Sequence, residues 1–294
     1  MSAPSNLVPD ARLSGEFQLG DLGVFRLGFG AMRITGKGVW GEPADHDESI
    51  RVLRRCLDLG INFIDTADSY GPEVSERLIA EALHPYPQGL VIATKGGFLR
   101  TGPDQWVTDT RPEHLREALE GSLKRLKLDA IDLYQLHRID ESKVPLEDTV
   151  GAAADFVREG LVRHVGLSEV NESQLSRARE IVPVVSVQNR YNLTDREWEG
   201  MLDVCEKDGI GFIPWFPLAV GDLARPGGRL DEIAGRLGAT PGQVALAWLL
   251  RRSPVMLPIP GTGSVKHLEE NTAAASVTLS DEDFADLDRL ARQG

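Results

Sequence analysis

The chain has little cysteine. Cys56 and Cys205 are the 2 cysteines among 294 residues, and each lies in a segment with helical periodicity. Their spacing matches neither a disulfide framework nor a metal-binding motif, and we predict no metal site. A free cysteine in such a segment is usually a small buried side chain. We therefore expect both to be buried and the protein to work in a reducing compartment, the cytoplasm.

Long apolar runs and excess positive charge are also lacking. No segment approaches the roughly 20 apolar residues that cross a bilayer, so no membrane partner is expected. The first residues, MSAPSNLVPDAR, lack the charged start and apolar centre of a secretory signal, and we expect residues 1–14 to be flexible. The 32 Lys and Arg against 45 Asp and Glu give a net charge of −13. Because a nucleic-acid partner needs a basic surface, that class of partner is not expected either.

What the sequence does contain is a regular alternation of short apolar runs and amphipathic segments. The runs are uniformly apolar, as in parallel strands that helices cover on both faces. Eight such strands are predicted, at 27–30, 62–65, 90–94, 131–136, 164–168, 184–188, 211–214 and 255–260. Helices are predicted among them at 46–59, 73–83, 112–127, 147–159, 171–181, 194–208, 229–237 and 241–251.

Eight strand–helix units without a break in composition predict an α/β fold, a (β/α)8 TIM barrel. We expect it to form one domain over residues 1–294. Two parts of the chain lie outside the repeat. Residues 16–27 are typical of an N-terminal β-hairpin that could close the bottom of the barrel, and residues 264–275 and 280–291 predict extra C-terminal helices.

Polar residues stand at the C-terminal ends of the predicted strands, which is where functional side chains collect in a barrel of this kind. They are Asp65 with Tyr70 in the loop that follows, Lys95, His137, Ser168, and Gln188 with Asn189. Burying a lysine or an aspartate without a partner is costly. Lys95 and Asp65 are therefore expected to pair.

Each of these residues alone has an ordinary explanation. An aspartate at a strand end can cap a helix, a histidine or tyrosine there can be structural, and a lysine can extend its amine to solvent. Asp68, which lies between Asp65 and Tyr70, is interpreted as a loop or capping acid. A chemical role is favoured by the joint placement of the candidates on three consecutive strand ends.

Seven segments in order resemble the aldo-keto reductase family: FIDTADSYG, VIATKGG, DLYQLHRID, VGLSEV, VSVQNRYN, FIPWFPLA and IPGTGSVKHLEEN. The resemblance implies reduction of a carbonyl by hydride transfer from a nicotinamide cofactor, with the catalytic residues Asp65, Tyr70, Lys95 and His137. Tyr70 would be the general acid, and the Lys95 cation would lower its pKa from the usual value of about 10. Asp65 would hold Lys95, and His137 would orient the carbonyl.

The resemblance also implies a cofactor stretched across the barrel mouth. Its expected contacts are Gly30, Met32, Ser168, Gln188, Trp215, Phe216, Pro217, Leu218, Gly221, Gly261, Thr262, Gly263, Lys266, His267, Glu270 and Asn271. Ser168 and Gln188 would bind the carboxamide, and Trp215 would stack on the nicotinamide ring. Two positions depart from the family pattern, because Phe216 replaces a small hydroxyl residue and Glu169 replaces an asparagine.

NADPH is the cofactor that the resemblance favours. Family members that prefer NADPH often hold its 2′-phosphate with lysine or arginine, but Gly261, Gly263 and His267 occupy those positions here. Lys266 and His267 still lie at the start of a predicted helix, where backbone amides attract anions. Use of NADH, or of both cofactors, stays open.

The substrate pocket is less well specified than the catalytic residues. Trp40 and Trp106 could line an open, partly aromatic pocket, although surface or hairpin packing would explain each equally well. The loop after the seventh strand, 220–228, is short. We expect a monomer that acts on a small-molecule carbonyl compound. Two alternatives remain: a nucleotide-binding regulatory subunit with little turnover, and a barrel lyase or isomerase that forms a Schiff base on Lys95.

Overall fold

The computed structural model describes residues 7–218 and 227–291. The strands are β1 (Glu16–Leu19), β2 (Leu22–Phe25), β3 (Phe29–Gly30), β4 (Phe63–Asp65), β5 (Val91–Gly96), β6 (Phe98–Gly102), β7 (Gln105–Thr108), β8 (Ile131–Leu136), β9 (Val162–Ser168), β10 (Val184–Gln188) and β11 (Gly211–Phe212). The helices are α1 (His46–Asp58), α2 (Val74–Leu83), α3 (Pro112–Leu126), α4 (Leu146–Arg158), α5 (Glu172–Arg179), α6 (Glu199–Asp208), α7 (Arg229–Leu237), α8 (Pro241–Arg252), α9 (Val265–Ala273) and α10 (Asp281–Ala291).

Seven of the strands form one parallel sheet in the order β11-β10-β9-β8-β5-β4-β3. The predicted eighth strand is irregular, yet its backbone joins the two edges of this sheet. The Phe212 amide donates to the Val255 carbonyl at 2.8 Å, and on the other side the Gly28 amide donates to the Pro258 carbonyl at 3.0 Å. Pro258 and Pro260 have no N–H to donate, which explains why a regular ladder does not form here. The fold is the predicted (β/α)8 barrel.

The helices pack around the sheet through their apolar faces, and α1 shows how the sequence specifies one. The Asp45 side chain accepts a hydrogen bond from the Glu48 amide at 2.8 Å, which caps the N-terminus. Ile50 and Leu53 are buried on the inner face. Gly60 follows the helix with a φ of 75°, a left-handed conformation that suits glycine and ends the helix.

The predicted N-terminal hairpin is present and closes one end of the barrel. Leu19, Leu22 and Val24 of β1 and β2 are buried in a cluster with Phe63 and Leu133 of the barrel strands. Each fully buried side chain of this kind contributes about 1.5–3 kcal/mol to stability. The opposite end, where the strands finish, is not covered by this hairpin.

Besides the eighth strand, two further elements differ from the sequence predictions. Helix α6 begins at Glu199 rather than at 194, because the Asn192 side chain accepts from the amides of Thr194 and Asp195 at 3.0 and 2.9 Å and so forms a turn. The loop after β5 carries an antiparallel hairpin of β6 and β7. Its turn contains Pro-Asp, a typical turn pair. Cys56 and Cys205 are buried and free, as predicted.

Among the described residues, no helix is both long and apolar enough to cross a membrane.

Candidate functional site

A buried ion pair lies at the end of the barrel where β4 and β5 finish. Lys95 is fully buried and Asp65 nearly so, and the Lys95 Nζ lies 2.5 Å from the Asp65 Oδ1. Lys95 also donates to the Thr66 carbonyl at 2.8 Å. Burial works against the charged amine, but its interactions with Asp65 and Tyr70 together outweigh this effect, so the pKa of Lys95 is raised. The expected pairing is present.

The second carboxylate oxygen of Asp65 is also satisfied. It accepts from the Gln135 Nε2 at 2.7 Å and from the Gln188 Nε2 at 3.0 Å. Gln135 was not predicted as a site residue. It is fully buried and stands opposite Lys95 in the register of β5 with β8. Because β8 also contains Asp132, a polar residue in this strand was not by itself a sign of the site.

Tyr70 stands beside this pair. The Lys95 Nζ lies 3.2 Å from the Tyr70 Oη, and the tyrosine is buried, with 7% of its surface exposed. Burial raises the pKa of Tyr70 above its usual value, while the Lys95 charge acts in the opposite direction and is outweighed. The expectation of a lowered pKa was therefore wrong in direction. The phenol therefore stays protonated throughout the neutral range.

His137 follows β8 and completes the group. Its backbone amide donates to the Gly96 carbonyl at 2.9 Å, and its ring contacts Phe98 and Tyr70 edge-on, with centroids 4.7 and 5.9 Å apart. Burial, reinforced by the nearby Lys95 charge, holds the pKa of His137 well below its usual range. The imidazole is thus neutral and can donate one N–H.

The β6–β7 hairpin supplies one wall of the site, and Arg100 fixes it there. The Arg100 guanidinium lies over the Trp106 ring, 3.7 Å from its centroid. It donates to the carbonyls of Val39 and Ser69 at 2.8 Å each, so it ties the hairpin to two other loops. The centroid of the Trp40 ring lies 5.8 Å from the Arg100 Cζ.

A cavity of about 740 Å³ opens above these residues. Tyr70, His137 and Trp106 line it. So do nine of the predicted cofactor contacts: Gly30, Met32, Ser168, Gln188, Trp215, Phe216, Pro217, Leu218 and Gly261. Trp40 does not belong to the described lining. Gly221, and most of the predicted 220–228 loop, lies outside the described residues.

Glu169, one of the two departures from the family pattern, organises the far wall of this cavity. Its Oε1 accepts from the Trp215 indole N–H and from the Arg190 amide, the latter at 2.8 Å. Its Oε2 lies 3.2 Å from the Arg138 Nη1. The residue adopts a φ of 55°, uncommon for a side-chain-bearing residue. Glu169 therefore holds Trp215 in place, a role that the sequence alone did not indicate.

The remaining predicted cofactor contacts lie at and beyond the start of α9. The Thr262 hydroxyl accepts from the Ser264 amide at 3.1 Å, which forms the turn into the helix. The others are Gly263, Lys266, His267, Glu270 and Asn271; Gly263, Lys266 and His267 are exposed. The Val265 amide, the first of the helix, donates to the Glu48 carboxylate at 2.9 Å. One backbone amide that could bind a phosphate at this helix start is therefore already bonded to a carboxylate.

Asp68 lies in the turn before Tyr70, but it caps no helix. Helix α2 starts after Glu73 without a side-chain cap. The Asp68 side chain is buried, and its Oδ1 has no hydrogen-bond partner within the described residues. Burial, with the nearby Glu76 charge, raises the pKa of Asp68 to about 8. Of the two interpretations, a loop acid or a capping acid, the structure therefore agrees with the loop acid.

The sequence matches the Aldo/keto reductase family over residues 26–292, and the chain belongs to this family. It is 55% identical over 279 residues to an uncharacterized oxidoreductase of Schizosaccharomyces pombe, covering 95% of this chain and 90% of the relative. It is 44% identical over 285 residues to a pyridoxine 4-dehydrogenase of Escherichia coli, covering 95% of this chain and 99% of the relative.

Solved structures of the family have the same fold. An aldo/keto reductase of Klebsiella pneumoniae in complex with NADP and acetate has a TM-score of 0.77 at 27% identity and covers 92% of each chain. A second structure from Klebsiella pneumoniae, in complex with NADPH, has a TM-score of 0.77 at 28% identity, again over 92% of each chain. The protein is an enzyme, an oxidoreductase of the aldo-keto reductase family.

Proposed function

We propose that the protein reduces aldehydes and ketones to alcohols with NADPH, and that Tyr70 is the general acid. The observation that carries this proposal is the contact of the buried Lys95 with both Asp65 and the Tyr70 hydroxyl, beside a neutral His137, at the base of a cavity of about 740 Å³. Reduction of a carbonyl leaves an alkoxide that needs a proton, and a protonated phenol can supply it.

Tyr70, Lys95 and His137 have separate tasks in this proposal. Tyr70 donates the proton to the developing alkoxide, a step worth about 10²–10⁴-fold in rate. The Lys95 cation stabilises the phenolate that this donation leaves behind. The neutral His137 donates a hydrogen bond that orients the carbonyl oxygen and stabilises the charge forming on it.

The described residues fit a nicotinamide cofactor. Asp65 engages the Gln188 amide nitrogen, so the Gln188 oxygen is left to accept from a carboxamide, and Ser168 lines the cavity beside it. A Cβ on Gly261 would lie 2.5 Å from the Gly30 carbonyl oxygen, so bare backbone forms this part of the lining. When bound, the cofactor supplies the hydride that adds to the carbonyl carbon. The exposed Lys266 and His267 and the relative in complex with NADPH support NADPH over NADH.

A finer proposal concerns the substrate. The relative named pyridoxine 4-dehydrogenase is 44% identical over nearly the whole of both chains. We propose that pyridoxal and pyridoxine are a substrate–product pair of this protein too. The aromatic wall formed by Trp106 and Phe98 beside His137 supports a flat aromatic aldehyde.

Steady-state kinetics would test these proposals. The purified protein is expected to oxidise NADPH in the presence of pyridoxal and benzaldehyde, and more slowly to oxidise NADH. Tyr70→Phe is expected to lose about 10²–10⁴-fold in kcat while it still binds NADPH in a fluorescence titration. Normal turnover by Tyr70→Phe would contradict the role of Tyr70. Tight binding of NADPH without turnover of any carbonyl would instead favour a regulatory nucleotide-binding role.

The Schiff-base alternative can be tested in the same preparation. A Schiff base needs a neutral, accessible amine, whereas Lys95 is fully buried and bound to Asp65. The described geometry therefore argues against it. Borohydride treatment with pyridoxal is expected to leave Lys95 unmodified by peptide mass spectrometry, and a stable adduct on Lys95 would reverse this conclusion.

A further inference from the structure

A second cation faces the cavity, next to the histidine that we propose orients the carbonyl. Arg138 directly follows His137 and lines the cavity. Its guanidinium lies 5.8 Å from the centroid of Phe98, which itself is 4.7 Å from the centroid of His137. The charge of Arg138 is close enough to help keep His137 neutral. A positive charge therefore lines the same cavity as His137, and Phe98 contacts both side chains.

This guanidinium is only partly engaged. Its side chain is 35% exposed, and its one described ion pair joins the Nη1 to the Glu169 Oε2 at 3.2 Å. A guanidinium carries five N–H donors, so most of them are left for a ligand. Glu169 cannot turn to satisfy them, because its other oxygen is held by the Trp215 indole and the Arg190 amide.

The ion pair between Arg138 and Glu169 is also weak enough for Arg138 to bind a ligand. A partly exposed ion pair contributes about 0–1 kcal/mol, so it does not prevent the guanidinium from meeting a second anion. A carboxylate that accepts from two parallel N–H groups makes a stronger, directional contact, and a single phenolate oxygen can accept a charge-assisted hydrogen bond. At the same time Glu169 limits the excess positive charge when no anionic substrate is bound.

We propose that Arg138 is a specificity-determining residue that binds an acidic oxygen, a phenolate or a carboxylate, on the ring of an aromatic aldehyde. This inference rests on the proposed carbonyl reduction. It names the substrate class of the site: flat aldehydes with an anionic substituent are preferred over their neutral counterparts. Pyridoxal, which carries an acidic ring hydroxyl beside its aldehyde, belongs to this class.

The test compares matched aldehydes that differ in one charge. The probes are benzaldehyde, the three ring isomers of carboxybenzaldehyde, and the methyl esters of those isomers. The unmodified enzyme is expected to favour at least one acid over its ester in kcat/KM. Arg138→Gln is expected to lower kcat/KM for that acid by about 10–100-fold, mainly through KM, while benzaldehyde and the ester change by less than about twofold.

Three further measurements separate recognition from general damage. Arg138→Lys keeps the charge without the planar fork and is expected to restore part of the preference. The Kd of NADPH is expected to stay unchanged in Arg138→Gln, because Glu169 still holds Trp215. Arg163→Gln is the matched control, since Arg163 lies at the other end of the barrel, where it pairs with Asp21 and Asp132.

The outcomes distinguish this inference from the proposed function. If the unmodified enzyme turns over benzaldehyde but shows no preference for any acid over its ester, Arg138 does not select the substrate and the proposed function stands. Equal losses for acid and ester in Arg138→Gln would likewise overturn the inference. If no aldehyde is reduced at all, the proposed function is contradicted, and the inference that rests on it is contradicted too. Should Arg138→Gln not fold, the acid–ester comparison and Arg138→Lys still decide.

Discussion

The two ends of the candidate site are built very differently. At the base of the cavity, Asp65 and Lys95 are buried, and Asp65 is bonded to three side chains, those of Lys95, Gln135 and Gln188. At the start of α9, Lys266 and His267 are exposed, and neither has a described hydrogen-bond or ion-pair partner. Replacing a buried side chain that is bonded to several partners lowers stability, whereas replacing an exposed charge without such partners does not. Under the proposed function, we therefore expect changes at the base to affect the reaction itself and changes at the α9 end to affect the choice of cofactor.

The first prediction breaks the base of the cavity. Lys95→Met leaves the Asp65 carboxylate buried without its cation, so we expect it to lower the free energy of unfolding by about 3–5 kcal/mol and to abolish most of the activity. The double variant Lys95→Met/Asp65→Asn removes the stranded charge and is expected to be more stable than the single variant. Urea denaturation measures both.

The control for this prediction comes from the other region. Lys266→Met removes an exposed lysine and is expected to change the free energy of unfolding by less than about 0.5 kcal/mol. If Lys95→Met were as stable as the unmodified protein, the ion pair would contribute nothing to the fold, and the contrast between the two regions would be lost.

The second prediction uses pH to probe a buried acid near the base. The pKa of Asp68 is raised from its ordinary value of 3.8 to about 8. Between these values the unfolded chain releases the proton while the folded protein keeps it, so stability falls as the pH rises from about 4 to about 8. Asp68→Asn removes this dependence. Relative to the unmodified protein, the variant is expected to gain about 1–3 kcal/mol more at pH 9 than at pH 6.

Thermal and urea unfolding at the two pH values measure this gain. Asp129→Asn is the control, because Asp129 is exposed and its replacement is expected to leave the pH dependence as it was. Parallel curves for Asp68→Asn and the unmodified protein would show that Asp68 is ionised in the fold.

The third prediction concerns Arg100, which positions the wall of the pocket without lining the described cavity. Arg100→Gln removes the cation over Trp106 and the bonds that tie the hairpin to Val39 and Ser69. We expect KM for aromatic aldehydes to rise about tenfold, since the wall loosens, with a smaller change in kcat. Arg111→Gln, an exposed arginine that pairs with Asp109 in the same loop, is expected to leave both constants unchanged. A fall in kcat with constant KM would mean that Arg100 acts on the chemistry instead.

The sequence predicted the parts of the site that follow from strand ends. Asp65, Lys95 and His137 were found because the barrel brings consecutive strand ends together, whatever the details of packing. Gln135 was missed, since a glutamine inside a strand gains meaning only when Asp65 is seen to face it. The pKa of Tyr70 was predicted in the wrong direction because the Lys95 charge is visible in the sequence and the extent of burial is not.

Some parts of the fold could likewise be predicted from the sequence, and others could not. The alternation of apolar runs and helices predicted the barrel, because each run needs cover on both faces. The irregular eighth strand follows from Pro258 and Pro260, which remove ladder donors, although the prediction treated it as regular. The β6–β7 hairpin was missed because its partly exposed pattern does not differ from that of a polar loop until Arg100 is seen to hold it in place.

The last and smallest prediction returns to the α9 end. The Glu48 carboxylate accepts from the Val265 amide at 2.9 Å, and its negative charge there opposes a second anion at the same helix start. Glu48→Gln keeps a hydrogen-bond acceptor and removes the charge. A single charge near a helix terminus is worth about 0.3–1 kcal/mol, so we expect the ratio of kcat/KM for NADPH to that for NADH to rise about two- to fivefold. Asp47→Asn, at an exposed neighbour on α1, is expected to leave the ratio unchanged. An unchanged ratio in Glu48→Gln would mean that the 2′-phosphate does not approach this helix start, and the contribution of Lys266 and His267 to cofactor choice would have to be abandoned with it.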